Sequence, residues 1–267
     1  MKNESILIFG CGNMAGAMLD GWLAGGLDPA RFTVVDRSNE SAPEGVTLLR
    51  EVPEDHFDAV LIGIKPHMLA DIAPLLEPLA GPDTAMLSIL AGTQLDVLRK
   101  TFPRAGSVVR VMPNLAVALG KSPIALAAQG LDEAGRAALS ALLEPLGTPE
   151  WIAEDAFDLV TALAGSGPGF VYRFIDALAA GAHSLGLPHD QSQRLATAMV
   201  EGAAALAAAS PHSPGELARR VASPGGVTQK GLDVLDDGKA LERLMEATLR
   251  AARDRSAEMA RQARGEG

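Results

Sequence analysis

The chain has a single cysteine, Cys11, among its 267 residues, so neither an intrachain disulfide nor a thiolate metal cluster can form. Aromatic residues make up only 4%, which leaves aliphatic and alanine side chains to fill the core. Excess positive charge is missing too: 23 Lys and Arg face 33 Asp and Glu, a net −10 that argues against a nucleic-acid partner. No apolar run reaches the roughly 20 residues needed to cross a bilayer. No leader-like apolar core precedes Ile6. We therefore expect a cytoplasmic protein with no membrane partner. The five histidines (His56, His67, His183, His189 and His212) show no metal-ligand spacing and belong to no Ser-His-Asp set, so no metal is expected. At 48% apolar and 21% charged residues, the length suffices for two modest globular domains.

What is present is organised around Ile6-Leu7-Ile8-Phe9-Gly10-Cys11-Gly12-Asn13-Met14-Ala15-Gly16. Four apolar residues suit a strand buried on both faces of a parallel sheet. A helical pattern then starts at once, with Met14, Ala17, Met18, Gly21 and Trp22 on its apolar positions. In a G-x-G-x-x-[GA] reading, Gly10 makes the tight turn, Gly12 lets a pyrophosphate approach the backbone, and Ala15 packs helix on strand. The stretch Gly10–Ala15, with Cys11, Asn13 and Met14, is thus a candidate phosphate cradle at a helix N-terminus. A second apolar run, Phe32–Val35, ends at Asp36, about twenty residues further on, where an acid can meet a ribose hydroxyl. This context points to a dinucleotide.

Further apolar runs at Val46–Leu49, Ala59–Ile64, Met86–Leu90 and Val108–Met112 alternate with helical patterns. Such alternation implies right-handed crossovers and a parallel sheet. Thr93-Gln94-Leu95-Asp96 resembles a helix cap. Ile124–Ala128 and Trp151-Ile152 can add edge strands, and past Glu154 only helical patterns follow. The expected fold is α/β: a Rossmann-type, doubly wound, mostly parallel sheet over 1–154, then an all-α domain over 155–267. The alanine-rich helical half offers more apolar surface than so short a segment can bury alone, so dimerisation is expected there.

Ligands of open parallel sheets bind beyond the carboxyl ends of the strands. Here those ends carry Gly10–Ala15, Asp36-Arg37-Ser38, Lys65-Pro66, Ala91-Gly92 and Pro113-Asn114. Lys65 can hydrogen-bond ribose or phosphate. In the helical half, Ser166-Gly167-Pro168 and Ser223-Pro224-Gly225-Gly226-Val227-Thr228 read as glycine–proline loops before helices, able to hold a small anion. Thr228 adds a hydroxyl that can donate or accept a proton.

Taken together, Gly10–Ala15, Ile64-Lys65-Pro66-His67, Arg110–Asn114, Gly165–Pro168, Leu185–Pro188 and Ser223–Thr228 follow the order found in pyrroline-5-carboxylate reductases, a family this chain resembles from about Ile6 to Ser256. The resemblance implies reduction of 1-pyrroline-5-carboxylate to L-proline by NAD(P)H, with a homodimer, in some members a ring of dimers. It implies that Gly225, Gly226, Val227 and Thr228 hold the substrate carboxylate, and that Thr228 reaches the ring nitrogen as the catalytic group. Ser166 and Glu154 are implied near the substrate. Two departures bear on the pocket: Asn114-Leu115-Ala116 replaces the family's Asn-Thr-Pro, and Gly169-Phe170 replaces Ala-Tyr. They leave another cyclic imine open as substrate. Asp36 favours NAD(H), whereas Arg37 and Ser38 welcome the 2′-phosphate of NADP(H). Both cofactors are expected to bind, NADPH more tightly. A hydroxyacid dehydrogenase would need a lysine on the helix from Gly167 to Leu185, which has none. A dinucleotide-sensing module would need no loop like Ser223–Thr228.

Overall fold

A computed structural model describes residues 5–263. The strands are β1 (Ile6–Phe9), β2 (Phe32–Val35), β3 (Thr47–Leu49), β4 (Ala59–Ile62), β5 (Ala85–Ser88), β6 (Ser107–Met112), β7 (Ser122–Gln129) and β8 (Gly147–Trp151). The helices are α1 (Asn13–Ala24), α2 (Leu69–Leu76), α3 (Leu95–Thr101), α4 (Glu133–Leu143), α5 (Phe157–Val160), α6 (Gly167–Ser184), α7 (His189–Ala209), α8 (Pro214–Val221), α9 (Val227–Asp236) and α10 (Ala240–Ala263). The described residues form two compact units, 5–166 with 252–263, and Gly167–Ala251.

The first unit is built on one sheet in the order β3-β2-β1-β4-β5-β6-β7-β8. Its first six positions give the doubly wound order, with the crevice where the strand order reverses between β1 and β4. All neighbours are parallel except β6 and β7, which pair with Val108 opposite Gln129 and Met112 opposite Ala125. Side chains alternate across the sheet. Ile6 and Ile8 face a core shared with Trp22, Leu61, Leu139 and Leu143, while Leu7 faces one shared with Leu76, Leu98, Phe102 and Phe157. Trp22, fully buried, stacks on Phe32 at 5.4 Å and donates its indole N–H to the Leu142 carbonyl at 2.8 Å. Gly21 brings α1 close to the segment after β6, since a Cβ there would lie 2.3 Å from the Val117 carbonyl oxygen.

This unit continues to Ser166, past the boundary expected after Glu154, because Phe157 and Ala162 are buried in it. The last turns of α10 belong to it as well: Ser256 Oγ donates to Asp158 at 2.7 Å. Two local expectations change. Thr93 does not cap α3: its N-cap is Gln94 without a side-chain cap, and Glu154 accepts the Leu95 N–H at 2.6 Å. Nor is there a loop at 165–167. Thr161–Gly165 forms a π-helical turn, closed by Ser166 N–H to the Thr161 carbonyl at 2.9 Å, and Gly167 opens α6 directly.

In the second unit α6 and α7 form a helical hairpin that turns at Gly186, where φ is +110°. Only Ala179, Ser192 and Ala196 are buried there, while Tyr172, Leu195, Met199, Leu206, Val234 and Leu244 are all more than half exposed. Four helices and part of a fifth thus enclose almost no core of their own.

Candidate active site

The phosphate cradle has the geometry its residues dictate. Gly10 sits at φ +81°, a conformation that suits glycine, and Gly12 is the N-cap of α1 with open space where a side chain would project. Ala15 is 1% exposed, packed at the close approach of β1 and β4. That approach depends on Gly63, not noticed in the sequence: a Cβ on it would stand 2.3 Å from the Gly10 carbonyl oxygen and 2.9 Å from Ala15 Cβ. Asn13 and Met14 open the helix beside the open space, leaving first-turn N–H groups for an anion.

Asp36 is held by four hydrogen bonds from the protein. One carboxylate oxygen accepts the Cys11 N–H at 2.8 Å. The other accepts Ser38 N–H and Oγ–H, both at 2.7 Å, and Asn39 N–H at 3.0 Å. Three of these bonds fall on Oδ1 and one on Oδ2, so the protein itself fixes the carboxylate in place. Burial pushes its pKa up, but these hydrogen bonds outweigh burial and bring it down to about 2. It is therefore ionised at neutral pH. The Cys11 N–H, expected to face phosphate, is tied to Asp36 instead. Burial first, then the charges of Asp36 and Asp20, push the Cys11 thiol up to about 11, so it stays protonated. Asn39, also missed, returns its side-chain amide to the Cys11 carbonyl at 3.0 Å. Arg37 and Ser38 are exposed beside a cavity of about 910 Å³ lined further by Phe9, Gly10, Ile64 and Met68.

Along the same edge, Lys65 is exposed at the end of β4 and Pro66 starts a short 3-10 turn. Ala91 is exposed, and Gly92 is buried at φ +76°. A Cβ on Gly92 would meet the Ala260 backbone nitrogen at 3.3 Å, so α10 is seated on the loop after β5. Asn114 is 6% exposed and directed into the protein: it accepts from Ala116 N–H and donates to the Ala164 carbonyl, both at 2.9 Å. It pins the end of β6 to the π-helical turn. Glu154 accepts from Arg110 Nη1 at 3.3 Å as well as from Leu95. The Arg110 side chain is 5% exposed, with its guanidinium 3.8 Å above the Phe157 ring. Burial pulls the Arg110 pKa below its usual value, and Glu154 and Asp158 pull it back up.

In the second unit, Ser223-Pro224-Gly225-Gly226 forms a turn with Gly225 at φ +71° and the Gly226 N–H on the Ser223 carbonyl at 2.9 Å. Gly226 is the N-cap of α9, and a Cβ on it would collide with Ser223 Oγ at 2.4 Å. Its N–H closes the turn and is not offered to a carboxylate. The first-turn N–H groups of Val227 and Thr228 remain for that task, and Val227 is 93% exposed. Ser166 is exposed at the end of the π-helical turn. Among the described residues no cluster of His, Cys, Asp or Glu can hold a metal, and no helix is long and apolar enough to cross a membrane.

A doubly wound sheet with an open glycine turn, in a chain that continues into a helical unit, defines the class of two-part dinucleotide-binding proteins. Comparison with known proteins narrows the class. The family model for pyrroline-5-carboxylate reductase dimerisation matches residues 154–259. Pyrroline-5-carboxylate reductase 2 of Bacillus subtilis is 32% identical over 98% of this chain and 97% of its own length. The Aquifex aeolicus pyrroline-5-carboxylate reductase is 38% identical over 76% of this chain and 77% of its own. The solved structure of a pyrroline-5-carboxylate reductase from Coxiella burnetii superposes with a TM-score of 0.89 at 28% identity, over 96% of this chain and 98% of that one. The chain belongs to the pyrroline-5-carboxylate reductase family.

Proposed function

We propose that this protein reduces 1-pyrroline-5-carboxylate to L-proline with NADPH, and less readily with NADH, as the closing step of proline synthesis in the cytoplasm. The observation that carries this reading is the turn 223–226 running into α9, in a chain whose other unit has an open dinucleotide turn. The N–H groups of Val227 and Thr228 hold the substrate carboxylate, where the helix dipole favours negative charge. The Thr228 hydroxyl then reaches the ring nitrogen, orienting the imine and relaying its proton. A protonated cyclic imine is already electrophilic at the carbon to be reduced, so orientation matters more than a strong general acid. The nicotinamide cofactor, when bound, supplies hydride. Gly10, Gly12, Asn13, Met14 and Ala15 form its pyrophosphate seat, and Arg37, Ser38, Lys65, Pro66, Ala91 and Gly92 line the rest of the edge. The helical unit Gly167–Ala251 serves dimerisation, in keeping with the matched dimerisation family and with the exposed apolar side chains of α6, α7, α9 and α10. A ring of such dimers is the larger form we expect.

The test is turnover of 1-pyrroline-5-carboxylate, followed by loss of nicotinamide absorbance. Loss of a positioned proton donor typically costs about 10²–10⁴ in rate, and a threonine that mainly orients costs less. Thr228→Ala should therefore lower kcat by at least about tenfold with NADPH affinity unchanged. Wild-type turnover by the variant would refute the role of Thr228. Preferred turnover of a six-membered cyclic imine would move the assignment to another substrate.

A further inference from the structure

Arg50 lies just beyond β3, and no sequence motif marks it. Its Nη1 donates to the Asp36 carbonyl at 2.7 Å and to the Asn39 carbonyl at 2.5 Å. Those two carbonyls bracket Arg37 and Ser38, so the guanidinium spans the base of the loop that follows β2. Arg50 lines the same cavity as Arg37 and Ser38. With Nη1 committed to the backbone, Nε and Nη2 are left to donate to an acceptor in the cavity.

Charge gives this placement a purpose. A 2′-phosphate carries about −1.5 to −2 at neutral pH. It would enter a loop that already contains the ionised Asp36, whose hydrogen bonds to Cys11, Ser38 and Asn39 fix it there. One arginine leaves that pair of anions strongly under-compensated, and a second guanidinium offsets about half or more of the remainder. We propose that Arg50 is a specificity-determining residue for the cofactor: braced on the Asp36 and Asn39 carbonyls, it supplies a second guanidinium, alongside Arg37, to the 2′-phosphate of NADPH. This rests on the reading of the chain as a nicotinamide-dinucleotide enzyme. It also assigns Asp36 a different part from the one its position suggested. Asp36 is a positioning residue that ties the glycine turn to the phosphate loop, and the two guanidiniums offset the charge it holds against NADPH.

The experiment is calorimetric titration of wild type, Arg50→Ala and Arg50→Lys with NADPH, NADH, 2′,5′-ADP and 5′-AMP. Arg50→Ala should weaken NADPH and 2′,5′-ADP by about ten- to a hundredfold, the usual effect of losing a hydrogen bond to a charged group. NADH and 5′-AMP should change by less than about threefold. Arg50→Lys, which keeps the charge but not the fork, should fall between. The salt dependence of NADPH binding should become shallower in Arg50→Ala. Equal weakening of both pairs would make Arg50 a loop brace only and overturn the proposal, as would an unchanged NADPH-to-NADH ratio. A wild type that binds neither cofactor nor nucleotide would overturn the dinucleotide reading itself. A wild type that binds both, with an unchanged ratio in the variant, would overturn the role of Arg50 alone.

Discussion

Glu154 supports two groups that the fold leaves in need of an acceptor, and removing it should be felt as instability before it is felt as catalysis. In Glu154→Ala, Arg110 keeps the Phe157 ring 3.8 Å below it but loses its carboxylate, with only 5% of its side chain exposed to water. The Leu95 N–H at the start of α3 also loses its acceptor. Breaking a fully buried ion pair costs about 3–5 kcal/mol. Glu154, however, is 32% exposed, so water partly replaces it and the pair falls below that range. Adding a lost helix cap, typically about 1 kcal/mol, gives an expected destabilisation of about 2–3 kcal/mol. That is a large share of the roughly 5–15 kcal/mol that holds a native protein together. Urea unfolding followed by tryptophan fluorescence is the natural assay, since both tryptophans, Trp22 and Trp151, lie in the first unit. The midpoint should fall at constant slope, at matched protein concentration. Glu154→Gln keeps an acceptor for Leu95 and should lose about half as much. A Glu154→Ala protein within about 0.5 kcal/mol of wild type, but with a raised KM, would refute the reasoning and make Glu154 a substrate ligand.

Acid should act through Asp36. Its folded pKa of about 2 lies below the ordinary 3.8, so its stabilisation is complete above pH 4 and is lost as pH falls through 2. After discounting for solvent screening we expect about 1 kcal/mol between those limits, absent in Asp36→Asn. Parallel stability–pH curves for the two proteins would exclude it. Light scattering at micromolar concentration should give at least twice the 27.7 kDa of one chain, and a stable, active monomer would end the dimer proposal.

The first unit was largely legible because strands buried on both faces leave uninterrupted apolar runs, and glycines at strand ends punctuate them. The direction of β7 was not legible: an apolar run has the same composition whichever way it is laid beside β6. The glycine-rich stretch 165–169 read as a break, yet the backbone absorbs the irregularity as a π-helical turn that extends the helix into α6. The site was less visible than the fold. The structural partners of Asn114, at a strand end, and of Glu154, placed near the substrate by the resemblance, left no mark in the sequence. Those partners, Ala164 and Leu95, lie 50 and 59 residues away in sequence. Arg50 and Asn39 escaped notice for the same reason, since what each does depends on a carbonyl that only the folded loop presents. Gly63 was hidden inside an apolar run, where it read as part of a strand.

Gly92 bears on how the chain can be shortened. Its missing side chain lets the Met259–Ala260 backbone lie against the loop after β5, and Ala260 is 2% exposed in that seat. A chain terminated before Met259 would uncover a glycine at positive φ. Deletion from the far end would therefore not trim a dispensable tail. It would loosen a loop at the carboxyl edge of the sheet, where the loss would first be read as poorer handling of small molecules and only later as a lower melting temperature.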